Sequence, residues 1–131
     1  MFPFIRDGDV ITVSPLKSPP RLGDVVAFRP SQRQQLFIHR VIGGKRGSYL
    51  IKGDNTAAND GFQSRASILG RVILVERNGR RVYCGMGPER LLIALLVRTN
   101  LLSPLLQLIG GFLHLSKRLL SFVENFFGIR T

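Results

Sequence analysis

The chain has 131 residues, which is enough for one domain or for one domain with an appendage. Nineteen Lys and Arg residues against eight Asp and Glu residues give a net charge of +11. This excess of positive charge predicts an anionic partner, such as a nucleic acid or an anionic membrane surface. The single cysteine, Cys84, excludes an internal disulfide and a cysteine-rich metal site.

Six segments in the first part of the chain are short, rich in Val, Ile, Phe and Tyr, and separated by Gly, Asp and Asn turn residues, a pattern typical of strands. They cover residues 9–14, 24–28, 35–43, 48–52, 67–76 and 80–84. Asn78-Gly79 between the last two predicts a hairpin. We therefore expect a mainly β fold, with a small antiparallel sheet partly closed into a barrel-like core.

The composition changes sharply near residue 87. Before this point short apolar runs alternate with turn residues, and after it the chain is almost wholly apolar with scattered basic residues. Gly85, Gly87 and Pro88 mark the change, and Pro88 suits the start of a helix. The sequence thus predicts a β domain over residues 1–87 and a helical, amphipathic appendage over residues 88–131.

The appendage contains no uninterrupted apolar run of the length that a membrane span needs, since residues 91–97 give only seven and a span needs about 20. From residue 105 onward, polar residues recur at helical spacing on an otherwise apolar helix: Gln107, His114, Lys117, Arg118, Ser121, Glu124 and Asn125. This pattern predicts a helix that lies in a membrane interface with basic residues near lipid phosphates. The alternative is a helical hairpin that packs on the sheet or on a second copy, as in a homodimer.

His39 lies in a strand-like run that has no packing need for an imidazole. On a strand through residues 36–42, Phe37, His39 and Val41 share one face. A neutral imidazole is a useful base near pH 7, and a carboxylate partner fixes its tautomer. Asp54 and Asp60 follow in the loop after the next strand, so they are the candidate partners. Alternatively, His39 is partly exposed or satisfied by a backbone group.

Lys52 is a second candidate base, because it directly precedes the loop that carries the two acids. A lysine acts as a base only where desolvation lowers its pKa. The alternative interpretation is an exposed lysine at the end of a strand.

Five motifs follow one another in order over residues 1–74: PFIRDGDVITV, LGDVVAF, HRV, KGDNTAAND and ILGRV. This series resembles the type I signal peptidase family, which includes the self-cleaving repressor peptidases. Met1, Pro3, Gly8 and Asp9 match the family motif Ser-Met-x-Pro followed by Gly-Asp. The resemblance implies a β-rich peptidase core and cleavage of a peptide bond through an acyl-enzyme.

The resemblance also implies roles for individual residues. His39 corresponds to the base of the histidine-type members, and Asp60, with Asp54 as second choice, is the acid that orients it. The backbone at Met1, Phe2 and Pro3 is expected to bind substrate or the oxyanion. The resemblance implies neither a metal nor another cofactor.

The family nucleophile is a Ser that directly precedes the motif Met, which here is Met1. We expect this Ser to be supplied by a true start that lies upstream. The alternative is a relative without a nucleophile.

Three functions follow from these observations. The first is a serine endopeptidase that cleaves leader peptides of membrane-tethered or exported precursors at the prokaryotic inner (plasma) membrane. The second is an inactive relative that binds peptides or partner proteins at the membrane. Nucleic-acid binding is the third, and we set it aside because the basic residues are dispersed and no aromatic residues interleave with them as stacking platforms.

Overall fold

The computed structural model describes residues 1–31 and 33–127, with side chains through residue 117. The strands are β1 (Val10–Ser14), β2 (Val25–Phe28), β3 (Phe37–Lys45), β4 (Ser48–Lys52), β5 (Phe62–Ser64), β6 (Ile68–Arg77) and β7 (Arg80–Arg81). The α-helices are α1 (Arg90–Arg98) and α2 (Leu102–Phe127), and a single 3-10 turn covers Arg65–Ser67. The six predicted strands are present, and the short β5 was not predicted. The last part of the predicted appendage, residues 128–131, lies outside the described residues.

The strands form one antiparallel sheet in the order β1-β6-β2-β3-β4-β5, with β7 paired to β6. The prediction of a mainly β, antiparallel fold with a helical C-terminal region is therefore confirmed. Strands β1 and β5 lie at the two edges, and no pairing joins them in the described part of the chain. The sheet is thus not closed into a barrel, and the predicted partial closure is not confirmed.

Register shifts interrupt three of the strand pairings. They fall between Thr12 and Val13, between Ala27 and Phe28, and between Val41 and Gly43. Such bulges bend a strand and increase its twist. The sheet therefore changes direction at these points.

Strand β3 has two faces that carry different parts of the molecule. Because side chains alternate along a strand, Phe37, His39 and Val41 lie on one face, here called the histidine face. Ile38 and Ile42 lie on the opposite face, here called the helix face. One apolar cluster lies on the histidine face and two lie on the helix face, where Ile38 contacts one and Ile42 belongs to the other. The cluster on the histidine face consists of Val26, Phe28, Val41, Ile51 and Ile68.

Helix α1 packs on the helix face of the sheet. Its residues Ile93 and Val97 are buried in one cluster with Ile42 of β3 and Leu102 at the start of α2. Burying each such aliphatic side chain stabilises the fold by about 1.5–3 kcal/mol. Helix α1 is therefore joined to the sheet by a shared core, while the predicted domain boundary after residue 87 stays a prediction.

Helix α2 carries much of its apolar surface uncovered within the described residues. The exposed large apolar side chains of this helix are Leu105, Leu108, Ile109, Phe112, Leu113 and Leu115. Neither α1 nor the described part of α2 is by itself long and apolar enough to cross a bilayer. Arg90–Arg98 and Leu102–Lys117 together reach that length and composition, but the two segments are bent by 109°.

Candidate functional site

His39 lies at the margin of the core on the histidine face. It is the cross-strand partner of Val26 in β2, and its ring centroid is 5.9 Å from that of Phe28 and 5.8 Å from that of Phe37. These two aromatic rings restrict the positions that the imidazole can adopt. The His39 side chain remains 17% exposed, so solvent or a ligand can still reach it.

His39 and Asp60 form a direct side-chain contact. Nδ1 of His39 lies 2.6 Å from Oδ2 of Asp60, whose side chain is 28% exposed. This contact favours the tautomer in which Nδ1 carries the proton and donates to the carboxylate. The other ring nitrogen, Nε2, is then an acceptor, which is the state that a general base requires.

The backbone around Asp60 is held by two hydrogen bonds. Its amide donates to the carbonyl oxygen of Ile51 at 2.9 Å, which joins the end of the loop to strand β4. The side-chain amide of Gln63 donates to the carbonyl oxygen of Asp60 at 2.7 Å. The carboxylate is therefore presented to His39 from a loop with a fixed end.

Gly53 lies directly against Nε2 of His39. A Cβ atom at this position would lie 3.1 Å from Nε2 and 3.1 Å from the side-chain atoms of Thr56. The Thr56 hydroxyl donates to the carbonyl oxygen of Gly53 at 3.0 Å, which closes the start of the loop into a turn. The close approach of loop and imidazole thus depends on the missing side chain at residue 53.

Asp54, the second candidate partner of His39, instead binds Arg40. Nε of Arg40 donates to Oδ1 of Asp54 at 2.8 Å and Nη2 donates to Oδ2 at 2.9 Å, and both side chains are fully buried. The same guanidinium donates through Nη1 to the carbonyl oxygens of Gly23 and Gly85, each at 2.9 Å. Sequence reasoning did not find this pair. The signal was an arginine between Ile38 and Ile42 on an apolar strand face, since a buried arginine needs an acid.

Lys52, the alternative base, lies on the helix face. It is the cross-strand partner of Arg40 and not of His39. Its ammonium donates to the carbonyl oxygen of Val97 at 3.0 Å and to the side-chain oxygen of Asn100. Burial lowers the pKa of Lys52 below its ordinary value. The structure therefore places this lysine against the end of α1 and away from the imidazole.

Among the residues of the first motif, Met1 packs against the sheet, and Phe2 and Pro3 contact Arg6. Met1 packs against the buried cluster of Ile5, Val25, Val72 and Val75, which Ile38 on the helix face of β3 also contacts. The Phe2 ring is exposed and lies 5.5 Å from the guanidinium carbon of Arg6. The Pro3 carbonyl accepts a hydrogen bond from Nε of Arg6 at 3.3 Å.

Gly8 and Asp9 form the turn that leads into β1. Gly8 has φ of 86°, a left-handed conformation that favours glycine. The Asp9 carboxylate accepts hydrogen bonds from the Arg6 amide at 2.9 Å and from Nε and Nη2 of Arg77, each at 2.8 Å. Hydrogen bonds from Arg77 lower the pKa of Asp9 from 3.8 to about 2.

A cavity of about 460 Å³ opens beside the His39–Asp60 pair. Its wall includes Phe37, Asp60, Phe62 and Gln63 from the site itself. Arg33 supplies positive charge to the same wall, and its guanidinium carbon is 6.0 Å from the Phe37 ring centroid. Asp60, the partner of His39, thus borders a recess that is large enough for several atoms of a ligand.

No group of three or more His, Cys, Asp and Glu side chains that suits a metal ion is found among the described residues. Comparisons with protein-family models, with curated proteins and with solved structures found no match to this chain.

Proposed function

We propose that this chain forms the core of a serine endopeptidase of the signal-peptidase type, with His39 as general base and Asp60 as the residue that orients it. The observation that carries the proposal is the 2.6 Å contact between Nδ1 of His39 and Oδ2 of Asp60. It leaves Nε2 free to accept a proton, as the serine-histidine-acid arrangement requires. The order of the sequence motifs supplies the reaction class.

In this proposal the nucleophile is a Ser directly before Met1. Its hydroxyl attacks the carbonyl carbon of the scissile bond while Nε2 of His39 accepts the hydroxyl proton. The imidazolium, stabilised by Asp60, then returns that proton to the leaving amine, and water hydrolyses the resulting ester by the same route. Backbone amides at Met1 and Phe2 are the proposed donors to the oxyanion.

The proposed substrate is an extended peptide with small residues at the cut, as in the leader of a membrane-tethered or exported precursor. The recess beside Asp60 and the edge strand β5 support this choice, because an edge strand offers unpaired backbone groups to an extended chain. The proposal includes a partly closed, barrel-like core, for which the three bulges give support.

The proposed location is the prokaryotic inner membrane, with the appendage in contact with the lipid surface. The exposed apolar side chains of α2 and the net charge of +11 support this part.

One observation favours the second function, an inactive relative that binds a peptide or partner protein. Met1 packs against the same cluster as Ile38 of the helix face, while His39, the next residue of β3, lies on the opposite face. For catalysis, the Ser before Met1 must reach Nε2 of His39 on the other face of the sheet. A binding role has no such requirement, since the recess beside Asp60 is sufficient for it.

The test compares the chain that begins at Met1 with a form that carries Ser directly before Met1. Both proteins are purified with anionic lipid. The Ser form should hydrolyse extended peptides that have small residues at the cut. His39→Ala should abolish this activity, and Asp60→Asn should reduce it by on the order of 10³–10⁴-fold because the tautomer is lost. His114→Ala is the matched control and should remain active.

A folded Ser form that is inert on a range of precursor peptides would overturn the peptidase. Binding of the same peptides, weakened by substitutions in the recess such as Gln63→Ala, would then support the second function.

A further inference from the structure

The turn between α1 and α2 makes direct contact with the end of strand β4. We call residues 97–103 the elbow. The carbonyl oxygen of Val97 and the side chain of Asn100 both accept hydrogen bonds from the ammonium of Lys52. Asn100 has φ of 60°, the left-handed conformation that ends α1 and allows the chain to turn into α2.

The Lys52 ammonium is suited to this place. The residue is 3% exposed, so its charge needs strong acceptors. The carbonyl oxygen of Val97, which lies at the negative end of the α1 dipole, and the side-chain oxygen of Asn100 provide them. Lys52 therefore binds the elbow as a charged cap.

The contact between Lys52 and the elbow lies close in sequence to the backbone that touches His39. Gly53 follows Lys52 directly, and a Cβ atom there would lie 3.1 Å from Nε2 of His39. The other end of the loop is fixed beside the same strand by the hydrogen bond from the Asp60 amide to Ile51. A movement of Lys52 therefore moves the backbone that lies against the imidazole.

A second contact joins the loop to the elbow. The Ser103 hydroxyl donates to the side-chain oxygen of Asn55 at 3.0 Å. A small cavity of about 220 Å³ lies between the two segments, with Thr56 and Leu102 in its wall. The loop and the elbow are thus joined by two contacts, Lys52 to Asn100 and Ser103 to Asn55, with a small cavity beside them.

We propose that Lys52 and Asn100 are positioning residues, which set the place of the loop against His39 according to the position of the helical elbow. The inference rests on the proposed function and assigns a regulatory contact to its site. Because α2 begins at Leu102, a change in the direction of α2 is transmitted to the His39–Asp60 pair through this contact.

The test measures the Nδ1–H proton of His39 by nuclear magnetic resonance on the full chain. Its short contact with Asp60 should give a downfield signal that exchanges slowly with water. Asn100→Gly removes one of the two acceptors for Lys52, the other being the Val97 carbonyl, while it accommodates φ of 60°. In this variant the Nδ1 proton of His39 should exchange with water about fivefold faster or more. This is the size of effect expected from losing one hydrogen bond, here the bond from Lys52 to Asn100.

Asn100→Asp is the matched rescue, because it keeps an oxygen in the place that Lys52 contacts. In this variant the Nδ1 proton of His39 should exchange with water at the same rate as in the unchanged chain. Lys52→Met should behave like Asn100→Gly, and Lys45→Met, a change of an exposed lysine in β3, should have no effect. If Lys52→Met does not fold, the two Asn100 variants carry the comparison.

Two results would overturn the inference. One is an unchanged exchange rate of the His39 Nδ1 proton in folded Asn100→Gly. The other is an equal increase of that rate in Asn100→Gly and Asn100→Asp. This outcome is independent of peptide hydrolysis, so it is distinct from failure of the peptidase proposal. In the form with Ser before Met1, Asn100→Gly should in addition lower kcat and leave KM unchanged, because the substrate recess is not altered.

Discussion

Arg40 and Asp54 form two parallel hydrogen bonds of 2.8 and 2.9 Å with both side chains fully buried. The remaining guanidinium nitrogen binds two backbone carbonyls, and the group lies 5.5 Å from the Phe4 ring centroid. One arginine therefore joins strand β3 to the loop of Asp54, to the turn before β2 and to the segment before α1. It stabilises the start of the loop whose other end carries Asp60.

Removing one partner of this pair should destabilise the fold strongly. Asp54→Ala leaves the Arg40 charge buried without its carboxylate, which costs about 3–5 kcal/mol. Chemical denaturation should show this as a large decrease in the unfolding midpoint. Asp7→Ala, at an exposed acid, is the control and should change little. Equal midpoints for the two variants would mean that Arg40 is satisfied without Asp54.

Gly53→Ala should disturb the candidate site more than it disturbs the fold. The added methyl group would lie 3.1 Å from Nε2 of His39, so the ring or the loop must move by a few tenths of an ångström. The ring resonances of His39 should shift, and peptidase activity in the Ser-extended form should fall by on the order of 10²-fold.

Gly43→Ala is the matched control for this change. Gly43 lies in strand β3, and the nearest atoms to an added Cβ there are 3.8 Å away, an ordinary contact. Its His39 resonances should match those of the unchanged chain. A Gly53→Ala protein with the same resonances as Gly43→Ala would show that the loop does not restrict the imidazole.

The Asp9–Arg77 pair should contribute to stability in a defined range of pH. Hydrogen bonds from Arg77 lower the pKa of Asp9 from 3.8 to about 2 in the folded chain. The contribution is therefore fully present above pH 3.8 and is lost as the pH falls toward 2. Asp9→Asn should remove this part of the acid dependence, as measured by unfolding midpoints between pH 4 and pH 2. An unchanged slope in Asp9→Asn would contradict the assignment, and Asp7→Asn serves as the control.

The exposed face of α2 should bind anionic vesicles. Leu108 and Phe112 are 73% and 71% exposed, so their contact with lipid buries apolar surface that the described part of the chain does not cover. Changing both to Ser should weaken vesicle binding by on the order of 10²–10⁴-fold, since each of the two buried side chains contributes about 1.5–3 kcal/mol. Co-sedimentation measures the effect, and Val10→Ser, at an exposed position on β1, is the control.

The dependence of vesicle binding on salt distinguishes its electrostatic contribution from its apolar contribution. Raising the ionic strength should weaken it partly, because the attraction between basic residues and lipid headgroups is screened while the apolar part is not. Vesicle binding that is equal in the double Ser variant and in the unchanged chain would exclude this face as the contact.

The sequence by itself determined the features that depend on neighbouring residues. Short runs rich in Val, Ile, Phe and Tyr between Gly, Asp and Asn turn residues predicted six of the seven strands, and Asn78-Gly79 predicted the turn between β6 and β7. The three-residue strand β5 was not predicted, because a segment of that length is too short to show a period of two. Its pairing with β4 is a long-range contact.

Only the tertiary structure decided which acid meets which base. His39 and Arg40 are adjacent, so their side chains lie on opposite faces of β3. Asp54 and Asp60 follow in one loop, and the sequence left both open as partners of His39. The path of that loop brings Asp54 to the buried guanidinium and Asp60 to the imidazole. The register of β4 against β3 places Lys52 on the helix face, where it contacts the elbow. Sequence spacing limits how far a loop can reach, but the face on which each side chain arrives depends on register and packing across the whole sheet.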